Sequence, residues 1–184
     1  MKCDGKELPL GAYRTMSRLE IGDKLIYGSQ GIMTLTDKRY ESIGDEQKLY
    51  YVLSGEDTAT AALTFVPVDS ERLSALMKPL LSKDELLAAL SGFDKEKFPE
   101  WNESSRARQE YFKKILEGDS RTDVLGMIYL IRESGRRRVA EGKKNFLSDE
   151  NLLKRAEKIL SSEISLVFGI GEDEALEMIN RAVE

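Results

Sequence analysis

The 184-residue sequence contains no histidine and only one cysteine. Without imidazole there is no Ser-His-Asp or Cys-His nucleophile system, no histidine-ligated zinc and no acid–base work by that side chain. Cys3 alone cannot close an internal disulfide, which suits a reducing compartment. No run approaches the roughly 18 consecutive apolar residues of a membrane span, so no membrane partner is expected. The opening MKCDGKELPLGAYRT lacks the apolar core of a signal peptide, and a cytoplasmic location is the expectation. No Asp-x-Asp cluster falls at a predicted strand end to hold magnesium. Gly28–Gly31 has no lysine or helix behind it, and Gly169-Ile170-Gly171 follows a helix and meets Glu174 where a phosphate loop needs glycine. Neither is a nucleotide motif. An enzyme is disfavoured, and no metal or cofactor is expected.

What the chain has in quantity is charge, unevenly placed. The whole carries −5, yet residues 101–160 hold fourteen Lys and Arg against ten Asp and Glu. A basic segment in an acidic protein gives a lopsided field, whose natural partner is a polyanion. The alternative is that these charges are solvated helical faces.

Residues 1–19 show no clear period and read as an N-terminal extension, with Met16 an alternative start. From residue 20 short strands follow: Lys24–Tyr27, a glycine-flanked hairpin turn at Gly28–Gly31, Ile32–Thr36, Lys48–Ser54 and Ala59–Val66, with turns at Gly44-Asp45 and Gly55-Glu56-Asp57. Pro67 forbids a central-strand continuation. Four or five such strands over about 50 residues make a small curled antiparallel sheet or barrel, closely resembling an SH3 or Tudor barrel. At residue 81 the texture becomes helical. Ser82-Lys83-Asp84-Glu85 is a capping box, residues 93–100 read as a polar linker, and a helix is expected over 105–117. A third helix runs from the Asp119–Asp123 region towards Val139. Ser148 is expected to cap a fourth that ends at Gly169, and a last one runs from Glu172 to Val183. The class is therefore α+β in two modules, a β-barrel over 20–80 and an all-α domain over 81–184.

Within the basic segment, Arg136-Arg137-Arg138 and Lys143-Lys144 place five cations in nine residues. Three successive helical positions fan through about 200°, so the arginines cannot all serve one acid. Arg106, Arg108, Lys113 and Lys114 form a second set on the preceding helix. The two sets are candidates for one phosphate-binding patch. Trp101, the only tryptophan, has two readings: a staple over the first turn of its helix, or an exposed ring that stacks on or wedges between bases.

Several stretches in order resemble one family. IGDKLIYGSQGI (21–32), KLYYVLS (48–54), TFVPVDS (64–70) and MKPLLSKDEL (77–86), then Trp101, ILEGD (115–119) and LLKRAEKILSSEISLVFGI (152–170), are similar to CarD-like transcription regulators. The first module is also similar to the polymerase-interacting domain of transcription-repair coupling factors. The resemblance implies a bacterial protein that binds RNA polymerase and promoter DNA together, nucleoid-associated through polymerase and a monomer when free. Its Tudor-like module would pair with the polymerase β subunit through Tyr50, Val52, Thr64, Phe65, Val66 and Pro67. Trp101 matches the family's minor-groove wedge, with the basic residues on the phosphate backbone, so that the open complex is stabilised without chemistry. This chain departs from the pattern after the tryptophan, where Glu103 and Ser104 stand in place of two arginines. The competing expectation, of a different class, is a protein–protein adaptor that never touches DNA. A Trp101 ring packed against the helices is the observation that would favour it.

Overall fold

Strand β1 (Lys24–Tyr27) joins the two halves of the chain. Successive side chains of a strand point to opposite faces, yet Leu25, Ile26 and Tyr27 are all buried. Leu25 and Tyr27 meet Met33, Leu35, Leu53, Val66 and Met77 in a small core on one face of the sheet. Ile26, with Ile32, enters the larger core built by the helices. The module boundary expected near residue 80 is thus crossed by continuous apolar packing. The computed structural model describes residues 19–43, 46–55 and 63–184. The extension with Met16, the Gly44-Asp45 turn, Glu56-Asp57 and the first part of the expected strand 59–66 lie outside those residues.

The other strands are β2 (Ile32–Ile43), β3 (Glu46–Gly55), β4 (Leu63–Pro67) and β5 (Met77–Pro79). They form one antiparallel sheet in the order β4-β3-β2-β1-β5. Its outer strands do not pair with each other, so of the curled sheet or barrel expected, the structure holds an open sheet. Both outer strands end at a proline, Pro67 and Pro79, which has no N–H to continue a ladder. β5 and the short helix α1 (Glu71–Ser74, capped by Ser70) were not anticipated. The turn after β1 is a 3-10 turn over Gly28–Gln30, entered and left by glycines at φ +47° and +89°. The Gly28 N–H donates to Leu76 O at 2.8 Å, tying the turn to the segment before β5.

Helix α2 (Lys83–Ser91) starts at the expected capping box. Glu85 N donates to Ser82 Oγ at 3.3 Å and Ser82 N to Glu85 Oε2 at 2.8 Å. Residues 93–100 are not a free linker. The Phe98 ring lies so close over Gly126 that a Cβ there would come within 1.9 Å of Cε1, and Phe93 stacks on Phe98 at 5.5 Å. Then follow α3 (Ser105–Glu117), α4 (Arg121–Ala140), α5 (Leu147–Phe168) and α6 (Glu172–Val183). Ser148 does not cap α5. It sits inside the first turn, and the N-cap is Phe146, which contributes no side-chain bond. Gly169, left-handed at φ +71°, ends α5 as its position foretold.

Where sheet meets helices, a buried ion pair closes the joint. Glu163 on α5 is fully buried and Arg121, at the start of α4, is 6% exposed. Arg121 Nε donates to Glu163 Oε2 at 2.7 Å and Nη2 to Oε1 at 2.9 Å, a bidentate fork. The same carboxylate accepts from Leu81 N at 3.0 Å, and the guanidinium also donates to Asp119 O and Pro79 O. Lys78 Nζ reaches Asp119 at 2.6 Å beside it. Removing one partner strands a buried charge, so Glu163→Ala is expected to cost about 3–5 kcal/mol in urea denaturation. The double variant Arg121→Met/Glu163→Leu should recover much of that loss. Equal losses in both would mean that backbone contacts, and not the charges, hold the joint.

Candidate functional site

The residues singled out in the basic segment separate into three environments. Arg108 is 2% exposed. Its Nη2 donates to Asp149 Oδ2 at 2.8 Å, and Nη1 donates to the carbonyls of Asn102 and Glu103 at 2.8 and 2.9 Å. It cannot reach a phosphate, and its expected role in DNA contact is corrected accordingly. A cation at an interior helical position is excluded from solvent because the α5 carboxylate and the α3 entry loop surround it.

The exposed cations mostly have an acid close in sequence. Arg106 pairs with Glu110 (3.2 Å), Lys113 with Glu117 (3.8 Å) and Lys143 with Glu141 (2.7 Å). The Lys143 ammonium holds the Glu141 carboxyl below its ordinary range by hydrogen bonding and charge. Arg136 and Arg137 share Glu133 at 3.0 and 3.2 Å, while Arg138 turns elsewhere, as the helical fan requires. Such exposed pairs are worth about 0–1 kcal/mol each, so an incoming phosphate can compete for the cations. Among the described residues, Lys114 and Lys144 are exposed and have no side-chain partner.

Trp101 is half-buried and anchors a stack. The Arg108 guanidinium lies 4.4 Å from its ring centroid and 5.2 Å from that of Phe146. On Phe146 lies the Arg138 guanidinium at 3.9 Å. The order Trp101–Arg108–Phe146–Arg138 alternates aromatic ring and guanidinium, each contact a cation–π attraction. Arg138 is fixed further by donating from Nε and Nη2 to Lys144 O at 2.9 and 2.7 Å. Trp101 also packs on Phe112 at 6.3 Å and lines two cavities. The larger, about 630 Å³, lies between the end of α4 and the start of α5, with Arg136, Arg138, Asn145 and Phe146 on its wall. Arg106, Lys113 and Lys114 do not line it, so the two basic sets do not merge there. Phe146 and Asp149, which complete the stack, are not singled out by the sequence reasoning. The aromatic residue directly after Lys143-Lys144-Asn145 was the available signal.

At the sheet, Tyr50, Val52 and Val66 are interior side chains, and the β3 backbone of Tyr50 and Val52 is paired on both sides by β2 and β4, so neither of the two offers a partner an edge as the resemblance implied. Phe65 is exposed at 39%, and Arg39 covers its ring at 5.1 Å while Tyr50 meets it edge-on at 6.3 Å. Thr64 and Pro67 are half-exposed. Among the described residues β4 is an outer strand. Val68 N donates to Leu49 O at 2.9 Å. The antiparallel alternation then turns Thr64 and Val66 towards β3 and the N–H groups of Leu63 and Phe65 outward.

Among the described residues no group of three or more His, Cys, Asp or Glu side chains is placed to hold a metal, and no helix is long and apolar enough to cross a membrane. No protein-family model matches the chain, and no curated protein matches it.

Arg108→Met keeps the aliphatic stem but leaves Asp149 buried and unpaired. It is expected to destabilise by about 3–5 kcal/mol, with a red shift of Trp101 emission as the stack opens. Arg136→Ala should change stability by less than about 1 kcal/mol. Chemical denaturation followed by tryptophan fluorescence compares the two, and a mild effect of Arg108→Met would remove the stack as an organising element.

Proposed function

We propose that this chain is a bacterial transcription regulator, binding the polymerase β subunit through its sheet and promoter DNA through its helical part, and thereby stabilising the open complex. The observation that carries the reading is the outer edge of β4, unpaired among the described residues, with two outward N–H groups and the exposed Phe65 beside them. An outer strand of this kind recruits a partner strand by backbone hydrogen bonds, with alternate side chains supplying specificity. We read the open five-stranded sheet as a Tudor-like polymerase-binding module over 20–80. Residues 81–184 are the DNA-contacting domain, in a cytoplasmic protein that joins the nucleoid through polymerase and acts without catalysis. On the DNA side the contacts fall to Arg136, Arg137, Lys143, Lys144 and the partly exposed ring of Trp101, with Arg106, Lys113 and Lys114 as a separate set.

A second reading, an adaptor that binds polymerase and never touches DNA, is favoured by one specific observation. Trp101 is packed on Arg108 and Phe112, with only part of its ring exposed. Two measurements separate the readings. The purified protein should retain the polymerase β subunit, and Phe65→Glu should abolish that retention. Trp101→Ala should shorten the open-complex lifetime while leaving retention intact. Contact with about three to five phosphates predicts a log–log salt slope of about −2.7 to −4.5. Unchanged lifetime together with a flat salt response leaves the adaptor, and failure to retain polymerase removes both.

A further inference from the structure

The cavity between α4 and α5 holds two polar groups that nothing else in the fold uses. Among the described residues, neither the Asn145 amide nor the Glu150 carboxylate has a hydrogen-bond or ion-pair partner, and both line the cavity. The amide lies close against Gly135 on α4. A Cβ there would stand 3.3 Å from Asn145 Nδ2 and 3.4 Å from Oδ1, so glycine at 135 is what lets the amide approach. Beside them the aromatic–guanidinium stack ends at Arg138, half-exposed and held by Phe146 and Lys144 O. The remaining walls mix apolar side chains, Ile131, Val139 and Leu153 among them, with Arg132, Arg136 and Asp149, whose charges are already paired with Glu157, Glu133 and Arg108.

The chemistry of these walls discriminates among ligands. A phosphate would face the Glu150 carboxylate, and an aliphatic side chain would leave the amide and the carboxylate unpaired. A planar heterocycle with donors and an acceptor on one edge fits all three features. Its face stacks on a guanidinium plane and its edge meets an amide and a carboxylate. In duplex DNA that edge is already paired and cannot enter a cavity between two helices.

We propose that this cavity receives an unpaired nucleobase, stacked on Arg138 and read along its edge by Asn145 and Glu150. The proposal rests on the DNA-contact reading above and names what the helical part binds at the edge of an opened duplex. Asn145 offers a donor and an acceptor together, whereas Glu150 can only accept. The site therefore selects bases that carry an exocyclic amino group, guanine, adenine and cytosine, over thymine. Arg136 and Lys144 stand at the same end of the helices to meet the flanking phosphates.

Trp101 is the sole tryptophan and lines the cavity, so its emission reports occupancy directly. The full chain is titrated with six-nucleotide dA, dC and dT oligomers and with a blunt duplex at fixed salt. The expected result is saturable quenching by dA and dC, with dT weaker by about tenfold, the low end of the discrimination a good edge contact gives. Asn145→Ala and Glu150→Ala should level that preference. Gly135→Ala, which favours the helix, should weaken dA binding by crowding the amide while denaturation shows the fold intact. Equal quenching by all three oligomers, or by none, overturns the base pocket. If duplex binding and polymerase retention survive that result, the broader reading stands without the pocket; if they vanish too, the broader reading falls with it.

Discussion

Everything else in this molecule is hung on the carboxylate of Glu163. It is fully buried on α5, and it accepts N–H groups from the end of the sheet segment (Leu81) and from Arg121 at the start of α4. Three parts of the chain are thereby held at one point. A charge so placed is tolerable only because its oxygens are fully engaged. Burial of an unpaired carboxylate costs several kcal/mol, and the fork geometry of Arg121 offsets that cost. The pair contributes modest net stability and high positional definition, because a shift of any of the three segments leaves an unsatisfied charge. The apolar contacts of Ile26 and Ile32 across the same joint supply the non-directional part of the adhesion.

The second buried arginine follows the same logic further along. Arg108 is anchored by Asp149 and two loop carbonyls, and its guanidinium lies over the rings of both Trp101 and Phe146. Its Nε is the one guanidinium nitrogen without a partner. That leaves a planar cation whose orientation is set by its edge contacts and which both aromatic rings approach. The helical surface that carries the exposed arginines is therefore organised from within. Arg138 stands where it does because Phe146 does, and Phe146 because Arg108 does. A basic patch built in this way presents fixed groups, where a run of solvated lysines would present mobile ones.

Patterns with a local cause were legible in the sequence. The capping box at Ser82–Glu85, the extent of the helix over 105–117 and the glycine stop at Gly169 each depend on residues within one or two turns. What escaped was determined at long range. β5 is three residues whose only reason to be a strand is β1 beside it. The segment 93–100 looks polar by composition, and only Gly126, far along the chain, makes room for Phe98. Arg108 and Arg121 were indistinguishable from their exposed neighbours, because burial of a cation depends on an acid about 40 residues away. The pairing of Arg136 and Arg137 with Glu133 was within reach of i,i+3 and i,i+4 counting. Counting cations as a block hid it.

These constraints bear on how Trp101 can meet DNA on the proposed reading. A tryptophan buries about 150–250 Å² when covered. Half of that, at about 25 cal/mol per Å², is worth about 2–3 kcal/mol. Leaving the Arg108 face forfeits a further 1–2 kcal/mol of cation–π attraction. A ring that swung out to wedge between bases would spend that sum in addition to the few kcal/mol of unstacking. A ring that stays on its stack and offers its exposed edge spends only the latter. The arrangement therefore favours a fixed edge that abuts an already opened step over a mobile wedge that opens one. On the proposed reading, opening is then driven from elsewhere, by polymerase. That division of labour agrees with exposed cations that are mostly half-engaged by their own acids, so that on the proposed reading contact with DNA is conditional on delivery to it.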